Sequence, residues 1–449
     1  MAGVKAFRAS ILHCLADPGS DASSNTVEYF ADGILIVADG VVSEVGPAAA
    51  LLPSISGDIE LTDFAGKLII PGMIDCHVHY PQIDIIASYG EQLLDWLSKY
   101  AFPIEAKFSD LAYASEVANF FADALLRNGT TTALVFSTVH PQSVDAMFSA
   151  AKQRNMRLLT GKVLMDRNCP EGLQDSAETA YRESRELIER WHGDGRLGYA
   201  ITPRFAVTST EAQLASMGKL ANEFPDVHIH THLAESRAEG DLVAAQFPWS
   251  RSYLDVYKRY GLVRERSMFA HCLHLDQEDR RTMAELNGSI AFCPTSNLFL
   301  GSGLFDLRSA EEAGIRVGVG TDVGGGTSLS MLTTLSDGYK VLHLQEQSLP
   351  PFKALYLATL GAAKALYLDD KIGNFSAGKE ADFVVLDSMS APMTARRLSR
   401  TDDVSEKFFA LLMMGDDRAV SATYLMGEPV YLAGRASGDA PTGVPIKTL

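Results

Sequence analysis

Apolar and polar positions alternate along most of the chain in two rhythms, one typical of helices and the other of strands. Between 110 and 127, apolar residues at 111, 114, 117, 118, 121, 124 and 125 recur at helical spacing. This pattern predicts a helix with Ser109 as its N-cap, ended by Asn128 and Gly129. The β-branched run 131–136 that follows predicts a strand.

The same order of strand and helix is repeated through the middle of the chain. Eight strand-like runs lie near 68–77, 131–136, 158–165, 197–202, 227–232, 267–271, 289–293 and 316–321. Helical patterns separate most of them, at 176–191, 210–223, 250–260, 276–286 and 307–313. Repeated βα units predict a parallel sheet, and eight of them favour a closed (β/α)₈ TIM-like barrel. A doubly wound open sheet is the alternative.

Strand patterns without intervening helices mark both ends of the chain. Near the start, Asp39 and Gly40 stand between two apolar runs, which predicts a β-hairpin. Near the end, strands are predicted at 383–386, 419–426 and 429–432. We therefore expect residues 1–67 plus 371–449 to form a small composite β-sandwich domain. Residues 68–370 would then form the barrel.

Composition and charge narrow the class of protein. The net charge of −17 arises from 39 Lys and Arg against 56 Asp and Glu, and so acidic a surface argues against nucleic-acid binding. The five cysteines are odd in number and include no CxxC pair, which favours a reducing, cytoplasmic setting. No run of about 18 apolar residues predicts a membrane-spanning helix.

Two of the predicted barrel strands end in more than one histidine. His77 and His79 close the first strand, and residues two apart on a strand point to the same side. His228, His230 and His232 alternate along the fifth, where all three cannot bind one ion, so at least one is structural. Of these three, His232 lies nearest the C-terminal end, where barrel enzymes place their catalytic groups.

Further groups suited to metal chemistry follow in later units. His271 ends the sixth strand and Asp322 the eighth, while Glu235 stands three residues after His232. Three neutral imidazoles and one carboxylate drawn from these strand ends, with one position left for water, suit catalytic Zn²⁺; Fe²⁺ accepts similar ligands. A carboxyl such as Glu235 beside the ion is suited to shuttling protons.

Several segments resemble signatures of the amidohydrolase superfamily. The run Pro-Gly-Met-Ile-Asp-Cys-His-Val-His at 71–79 is similar to its first-strand signature, and the sequence His-Leu-Ala-Glu at 232–235, His271 and Thr-Asp at 321–322 match later ones in order. The run 378–383 resembles the C-terminal return strand, so the resemblance covers nearly the whole chain.

The resemblance also indicates a subtype. Two-metal members carry a bridging Lys at the end of the fourth strand, where this chain has Arg204, and Lys162 in the third strand is interpreted as structural. The chain is thus similar to the mononuclear aminohydrolases of heterocycles. Segments 80–105, 161–166, 203–205 and 322–326 resemble the guanine-deaminating branch of that group.

This resemblance implies hydrolysis of guanine to xanthine and ammonia by a metal-activated water, with one Zn²⁺ per chain and a homodimer. It implies that four side chains hold the ion: His77, His79, His232 and Asp322. It implies that Glu235 moves protons, that Asp322 orients or deprotonates the water, and that His271 holds the nucleophile or polarises the tetrahedral centre. Gln82 and Arg204 would read the purine edge and Phe205 would stack on its face. The alternatives are a triazine, pterin or adenine-like substrate, a cyclic-amide hydrolase, and a non-catalytic scaffold.

Overall fold

A computed structural model describes residues 3–19, 25–55, 59–90 and 92–434. Two sheets organise these residues: a parallel barrel from the middle of the chain and a mixed sheet from its two ends. The predicted fold class, a TIM-like barrel with a β domain built by both termini, is confirmed. The part of that β domain expected beyond residue 434 lies outside the described residues.

The barrel consists of the eight strands that the sequence predicted, all parallel and in sequential order. They are Met73–His79, Thr130–Phe136, Arg157–Gly161, Leu197–Pro203, His228–Leu233, Ser267–His271, Ser289–Phe292 and Arg316–Val319, with the two-residue strand Val163–Leu164 beside the fourth. The first and last strands meet where Asp322 N donates to His77 O at 2.8 Å and His79 N donates to Val323 O at 2.7 Å. The end of the eighth unit is therefore fixed against the end of the first.

Helices surround the barrel and cover its strands. The longer ones are Leu111–Arg127, Pro141–Gln153, Ala177–Trp191, Glu211–Glu223, Arg237–Gln246, Tyr253–Arg259, Gln277–Glu285, Met331–His343 and Pro351–Ala358; shorter ones are Pro294–Phe299, Leu307–Glu312 and Leu360–Ala365. Between the first strand and its helix, an irregular segment contains Leu93–Trp96, a π-helical turn Leu97–Ala101 and Phe102–Glu105. Among the described helices, none has both the length and the apolar character required to cross a membrane.

The first long helix begins one residue later than its expected cap. Asp110, not Ser109, is the N-cap: its carboxylate accepts from the backbone N–H of Ala112 at 2.8 Å and of Tyr113 at 3.4 Å. The Ser109 hydroxyl instead donates to Ala106 O at 3.2 Å, in the preceding turn. The expectation for Ser109 was wrong because a carboxylate adjacent to it both accepts these bonds and favours the positive end of the helix.

Replacing Asp110 with Ala is expected to lower the free energy of unfolding by about 1 kcal/mol, the usual cost of losing an N-cap. Ser109→Ala is the matched control and should change stability by less than about 0.5 kcal/mol, as surface substitutions away from caps do. Chemical denaturation of both variants measures the difference. Equal losses in the two would contradict the assignment of the cap.

The terminal domain is one mixed seven-stranded sheet. Its strands run in the order Glu428–Leu432, Val420–Leu425, Phe383–Leu386, Glu60–Pro71, Lys5–Cys14, Val27–Ala38 and Val41–Pro47. The Phe7 and Tyr424 rings lie 5.1 Å apart although three strand spacings, about 14 Å in a flat sheet, separate their strands. The sheet therefore curls so that its two halves face each other across a shared core. The hairpin at Asp39 and Gly40 is present, both residues having positive φ.

The chain leaves the terminal sheet and enters the barrel a few residues after residue 67, where the sequence analysis placed the boundary. Leu68 to Pro71 belong to the strand Glu60–Pro71 and pair with Phe383–Leu386 in the terminal sheet, and the first barrel strand begins at Met73. The run 68–77 thus contains two strands, not one. We propose that the first domain boundary falls at Gly72 instead of between 67 and 68. The C-terminal segment also contains the helices Pro392–Leu398 and Val404–Met414, which the strand pattern did not predict.

A buried ion-pair network joins the domains at the bottom of the barrel. Arg157 and Arg196, next to the starts of the third and fourth strands, both donate to Glu380, and Arg196 also donates to Asp382. These acids stand just before the strand Phe383–Leu386 of the terminal sheet. Since the opposite ends of the barrel strands carry the histidines, this network holds the scaffold without entering the candidate site.

Candidate metal centre and pocket

The four expected metal ligands converge at the C-terminal end of the barrel. His77 and His79 extend from the first strand, His232 from the fifth, and Asp322 follows the eighth. His79 Nε2 lies 3.2 Å from both His77 Nε2 and His232 Nε2. Asp322 Oδ1 lies 3.1 Å from His77 Nε2 and 3.3 Å from His79 Nε2. One donor atom from each of the four lies within 4.8 Å of all the others.

These separations fit a tetrahedral ion. Zinc–nitrogen bonds of about 2.0–2.1 Å place two tetrahedral ligands about 3.3–3.4 Å apart, close to the four distances observed. Two neutral imidazole nitrogens that face each other with lone pairs gain nothing from such proximity unless a cation lies between them. The donor set, three nitrogens and one carboxylate oxygen, is of the kind that zinc prefers. The residues present therefore fit a single zinc ion.

Burial puts the imidazoles in the form that binds metal. It lowers the pKa of His77, brings that of His79 to about 4 and lowers that of His232 further, so all three rings are neutral at neutral pH. Burial acts against ionisation of Asp322, but the neighbouring His77 and His79 outweigh it and hold the pKa of this carboxyl well below its usual range. A carboxylate beside neutral imidazoles is the required ligand state.

A backbone carbonyl selects the tautomer of one candidate ligand. The carbonyl of Arg204 accepts from His232 Nδ1 at 2.7 Å, which leaves Nε2 unprotonated and turned toward the centre. His77 Nδ1 lies 2.7 Å from His230 Nε2, a contact in which either nitrogen can donate. His228, at the other end of the same strand, bonds to the carbonyl of Leu366 at 2.8 Å. Of the two histidines left over on this strand, His230 thus supports a candidate ligand and His228 supports the barrel floor.

Glu235 stands beside the metal centre without joining the ligand set. Its Oε2 lies 3.4 Å from His271 Nε2, and its Oε1 accepts from the Ser302 hydroxyl at 2.9 Å. Burial and then the charge of Asp322 raise the pKa of Glu235 to about 8, while the bond from Ser302 acts in the opposite direction. A carboxyl with so high a pKa holds and releases a proton near neutral pH, as an acid–base group must.

His271 faces the same space from the sixth strand. Its Nδ1 donates to Asn297 Oδ1 at 2.8 Å, and its Nε2 lies 3.7 Å from Asp322 Oδ2. His271, Asp322 and Ala234 all have positive φ, of 71°, 51° and 51°. Non-glycine residues adopt this conformation only where the surrounding structure holds them in it. The strained turns at these strand ends direct the side chains into the site.

A pocket opens next to the candidate centre. Its lining includes groups of the metal centre and its acid–base neighbours, the expected recognition residues, and apolar residues: His79, His232, Glu235, His271 and Asp322; Gln82, Arg204 and Phe205; and Leu93, Trp96, Leu97 and Leu300. All the residues expected to bind substrate are therefore brought together with the metal ligands. An enclosure with apolar walls and a few polar groups suits a flat heterocycle.

The structure adds residues that the sequence analysis did not single out. Glu105 binds both Gln82 and Arg204, Asn297 fixes the tautomer of His271, and Ser302 bonds to Glu235. Asn297 follows the seventh barrel strand, so the strand-end rule that found the histidines could also have found it. Glu105 and Ser302 lie outside such positions; Glu105 ends the segment 80–105 that carries the family resemblance, but that resemblance did not assign it a role.

Lys162 has the structural role expected of it. The side chain is buried and forms ion pairs with Asp175 and, at 3.5 Å, with Glu183, outside the pocket lining. Its amine is thus occupied by two carboxylates. A second, bridged metal position does not form around it among the described residues.

Comparisons with known proteins agree with this geometry. A family model described as the amidohydrolase family matches residues 68–430. Guanine deaminase of Escherichia coli K12 is 49% identical over 431 residues, which cover 95% of this chain and 98% of that protein. The solved structure of the E. coli guanine deaminase superposes with a TM-score of 0.94, covering 96% of this chain and all of that one. A guanine deaminase from C. acetobutylicum with guanine bound in its active site is 26% identical, with a TM-score of 0.87 over 96% of this chain and 100% of that one.

Proposed function

The chain belongs to the amidohydrolase family and is a hydrolase of carbon–nitrogen bonds, and from this membership we propose that it deaminates guanine to xanthine and ammonia. The family resemblance noted in the sequence is confirmed. The observation that carries the proposal is the position of Gln82 and Arg204 in one pocket with Glu235 and the His–Asp centre. Strong similarity to guanine deaminases over nearly the full chain supports it.

The reaction needs an activated water, and the proposed cofactor is one Zn²⁺ held by four side chains. These are His77, His79, His232 and Asp322. A zinc ion there would lower the pKa of a water molecule to about 7 and so supply a nucleophile at neutral pH. Fe²⁺ accepts the same donors, and metal analysis of the purified protein distinguishes the two.

The protein's own residues would then direct the protons. Glu235 would take one proton from the attacking water and pass it to the ring nitrogen, and would then pass the second proton, from the added hydroxyl, to the departing amine. Asp322 would orient or deprotonate the water, and His271, whose Nε2 lies 3.7 Å from Asp322 Oδ2, would hold the nucleophile or polarise the tetrahedral centre. Attack at the carbon that bears the exocyclic amine adds the elements of water and releases ammonia, giving xanthine.

Recognition of the ring is assigned to the groups across the pocket from Glu235. Guanine presents acceptor atoms at its edge, for which a guanidinium is a well-matched donor. Arg204 and Gln82 are almost fully buried, so bulk water does not reach them. An acceptor atom of the ligand would give their N–H groups a hydrogen-bond partner. Phe205, also buried and lining the pocket, offers a ring face on which the base would stack.

Arg204→Ala should reduce kcat/KM for guanine by about thirtyfold or more, equivalent to about 2 kcal/mol, because a buried acceptor loses a charged donor. Steady-state kinetics with guanine measures the change, and metal content serves as the control for an intact centre. Arg167→Ala is the comparison variant, since that arginine lies outside the pocket lining and packs on Phe247. Unchanged guanine kinetics in Arg204→Ala would refute its assignment.

The setting proposed for this enzyme is a cytoplasmic homodimer. All five cysteines lie in the described part of the chain and none forms a disulfide, as expected in a reducing compartment. The homodimer is implied by the family resemblance. Sedimentation of the purified protein tests it directly.

Ammonia release decides between guanine and other substrates. The metal-quantified protein is assayed with guanine, adenine, cytosine, 8-oxoguanine and a triazine. Release that is selective for guanine and lost on chelation supports both substrate and cofactor. Ammonia release from another ring only, with metal bound, would leave the assignment of the metal centre standing and refute guanine as the substrate. A protein that is inactive on all five compounds and retains no metal would favour the scaffold alternative.

A further inference from the structure

A single buried carboxylate organises the side of the pocket that is assigned to ring recognition. Glu105 is 1% exposed, and its Oε1 accepts from Gln82 Nε2 at 2.8 Å and from an Arg204 NH2 nitrogen at 3.0 Å. Its Oε2 accepts from the other terminal nitrogen of Arg204 at 2.6 Å. The two residues expected to read the purine are thus held by one side chain that the pocket lining itself does not include.

These contacts fix the orientation of both recognition groups. Gln82 Oε1 accepts from the backbone N–H of Gly324 at 3.2 Å, so its amide has one end toward Gly324 and the other toward Glu105. Arg204 uses one hydrogen on each terminal nitrogen for Glu105 and lies with its guanidinium 5.2 Å from the Phe102 ring. Gln82 Nε2 also lies 3.4 Å from His79 Nδ1, so the N–H groups of Arg204 that are not bonded to Glu105 are the ones available to a ligand.

The ion pair between Glu105 and Arg204 also neutralises the positive charge of the arginine. Around the pocket, Arg204 is the one arginine or lysine among the described lining residues, and Glu105 neutralises it through two hydrogen bonds. The other charged groups in the lining, Glu235 and Asp322, are carboxyls on the metal side. Burial lowers the pKa of half-buried His140, and the nearby charge of Glu105 acts in the opposite direction. Without Glu105, the recognition edge would present an unpaired buried cation, which attracts anions strongly.

We propose that Glu105 is a positioning residue that sets ligand charge specificity: by holding Gln82 and neutralising Arg204, it makes the pocket select uncharged rings over anionic ones. This inference rests on the proposed function, because it assumes that the pocket receives a purine. It has a chemical consequence for that reaction. A dioxopurine product is more acidic than guanine, so a neutral recognition edge avoids retaining the product as its anion.

The test compares two ligands of nearly the same shape and different charge. Hypoxanthine is neutral at neutral pH, whereas 8-azahypoxanthine is an anion there, because the extra ring nitrogen acidifies its N–H. Calorimetric titration of the metal-loaded protein gives a dissociation constant for each, and the ratio of the two constants is the readout. If Glu105 had only a structural role, its replacement would weaken the binding of both ligands equally and leave that ratio unchanged.

Three substitutions separate charge from shape. Glu105→Gln keeps the size and one acceptor but leaves Arg204 unpaired, and should shift the ratio toward the anion by about tenfold or more. Glu105→Asp keeps the charge and should leave the ratio within about threefold while weakening both ligands. The double variant Glu105→Gln with Arg204→Gln removes both charges and should return the ratio to the wild-type value.

Arg204→Gln alone provides an independent test if Glu105→Gln fails to fold. It leaves Glu105 as an unpaired carboxylate and should shift the ratio toward the neutral ring. Ratios that stay at the wild-type value in folded, metal-loaded Glu105→Gln or Arg204→Gln would overturn this inference and leave guanine deamination standing. A wild-type protein that binds neither ring would overturn the inference, whereas a metal-loaded protein that releases no ammonia from guanine would overturn the proposed function on which the inference rests.

Discussion

Glu235→Gln is expected to reduce kcat for guanine deamination by about a thousandfold while the protein keeps its bound metal. The amide retains the size of the side chain and can still accept from Ser302, but it can neither take a proton from water nor deliver one to the leaving amine. Since Glu235 lies outside the four-residue donor set, metal content should match that of the wild type. Single-turnover kinetics with metal analysis measures both quantities.

Glu239→Gln is the matched control for that substitution. Glu239 is also buried, and burial and then the charge of Glu235 raise its pKa to about 7. Its carboxyl accepts from the backbone N–H of Glu235 at 2.9 Å and from the Tyr253 hydroxyl at 2.6 Å, and it does not line the pocket. We expect a loss of less than about tenfold, as for a supporting group. If both variants lost activity equally, distortion of the loop would explain the effect and proton transfer by Glu235 would not.

His232→Ala should abolish metal binding and, with it, activity. Removing one of four ligands leaves three donors and an opening, and tight zinc binding depends on the full set. The expected result is a fall from about one zinc per chain to a small fraction, with kcat/KM reduced by about a thousandfold or more. Mass spectrometry of the metal content and the ammonia assay provide the two readouts.

His228→Gln is the control on the same strand. His228 is buried and bonds to Leu366 O at the opposite end of the barrel, so its replacement should lower stability but leave zinc bound. If His228→Gln lost zinc as completely as His232→Ala, the metal loss would reflect collapse of the strand. Zinc retained at wild-type levels in His232→Ala would remove His232 from the proposed ligand set.

The patterning of the chain was sufficient to predict the barrel. Its eight strands are short β-prone runs that are buried along nearly their whole length, and the helices between them show regular apolar spacing. Boundaries were less well predicted. Leu68–Pro71 and Met73–His79 form one apolar run in sequence but belong to different sheets, and Gly72 between them gives no pattern that separates the two.

The candidate ligands could be found for a related reason. In a parallel barrel all strands end on one face, so His77, His79, His232 and Asp322 could be grouped from their strand-end positions without knowledge of distances. Glu105 could not be grouped in this way. It lies 99 residues from Arg204 and 23 from Gln82, on a short helix after a π-helical turn. Its pairing depends on how an irregular segment folds over the barrel mouth.

The sequence by itself therefore determined the class of fold, the family and the candidate residues for the chemistry, because periodicity and strand-end motifs are local properties of the chain. Only the tertiary structure decided which histidine of the fifth strand supports the centre and which supports the floor, and how the recognition residues are held. Those outcomes depend on partners such as Leu366 O, Asn297 and Glu105, which are distant in sequence. Hydrogen-bond partners of this kind are selected by packing, and a one-dimensional pattern does not encode them.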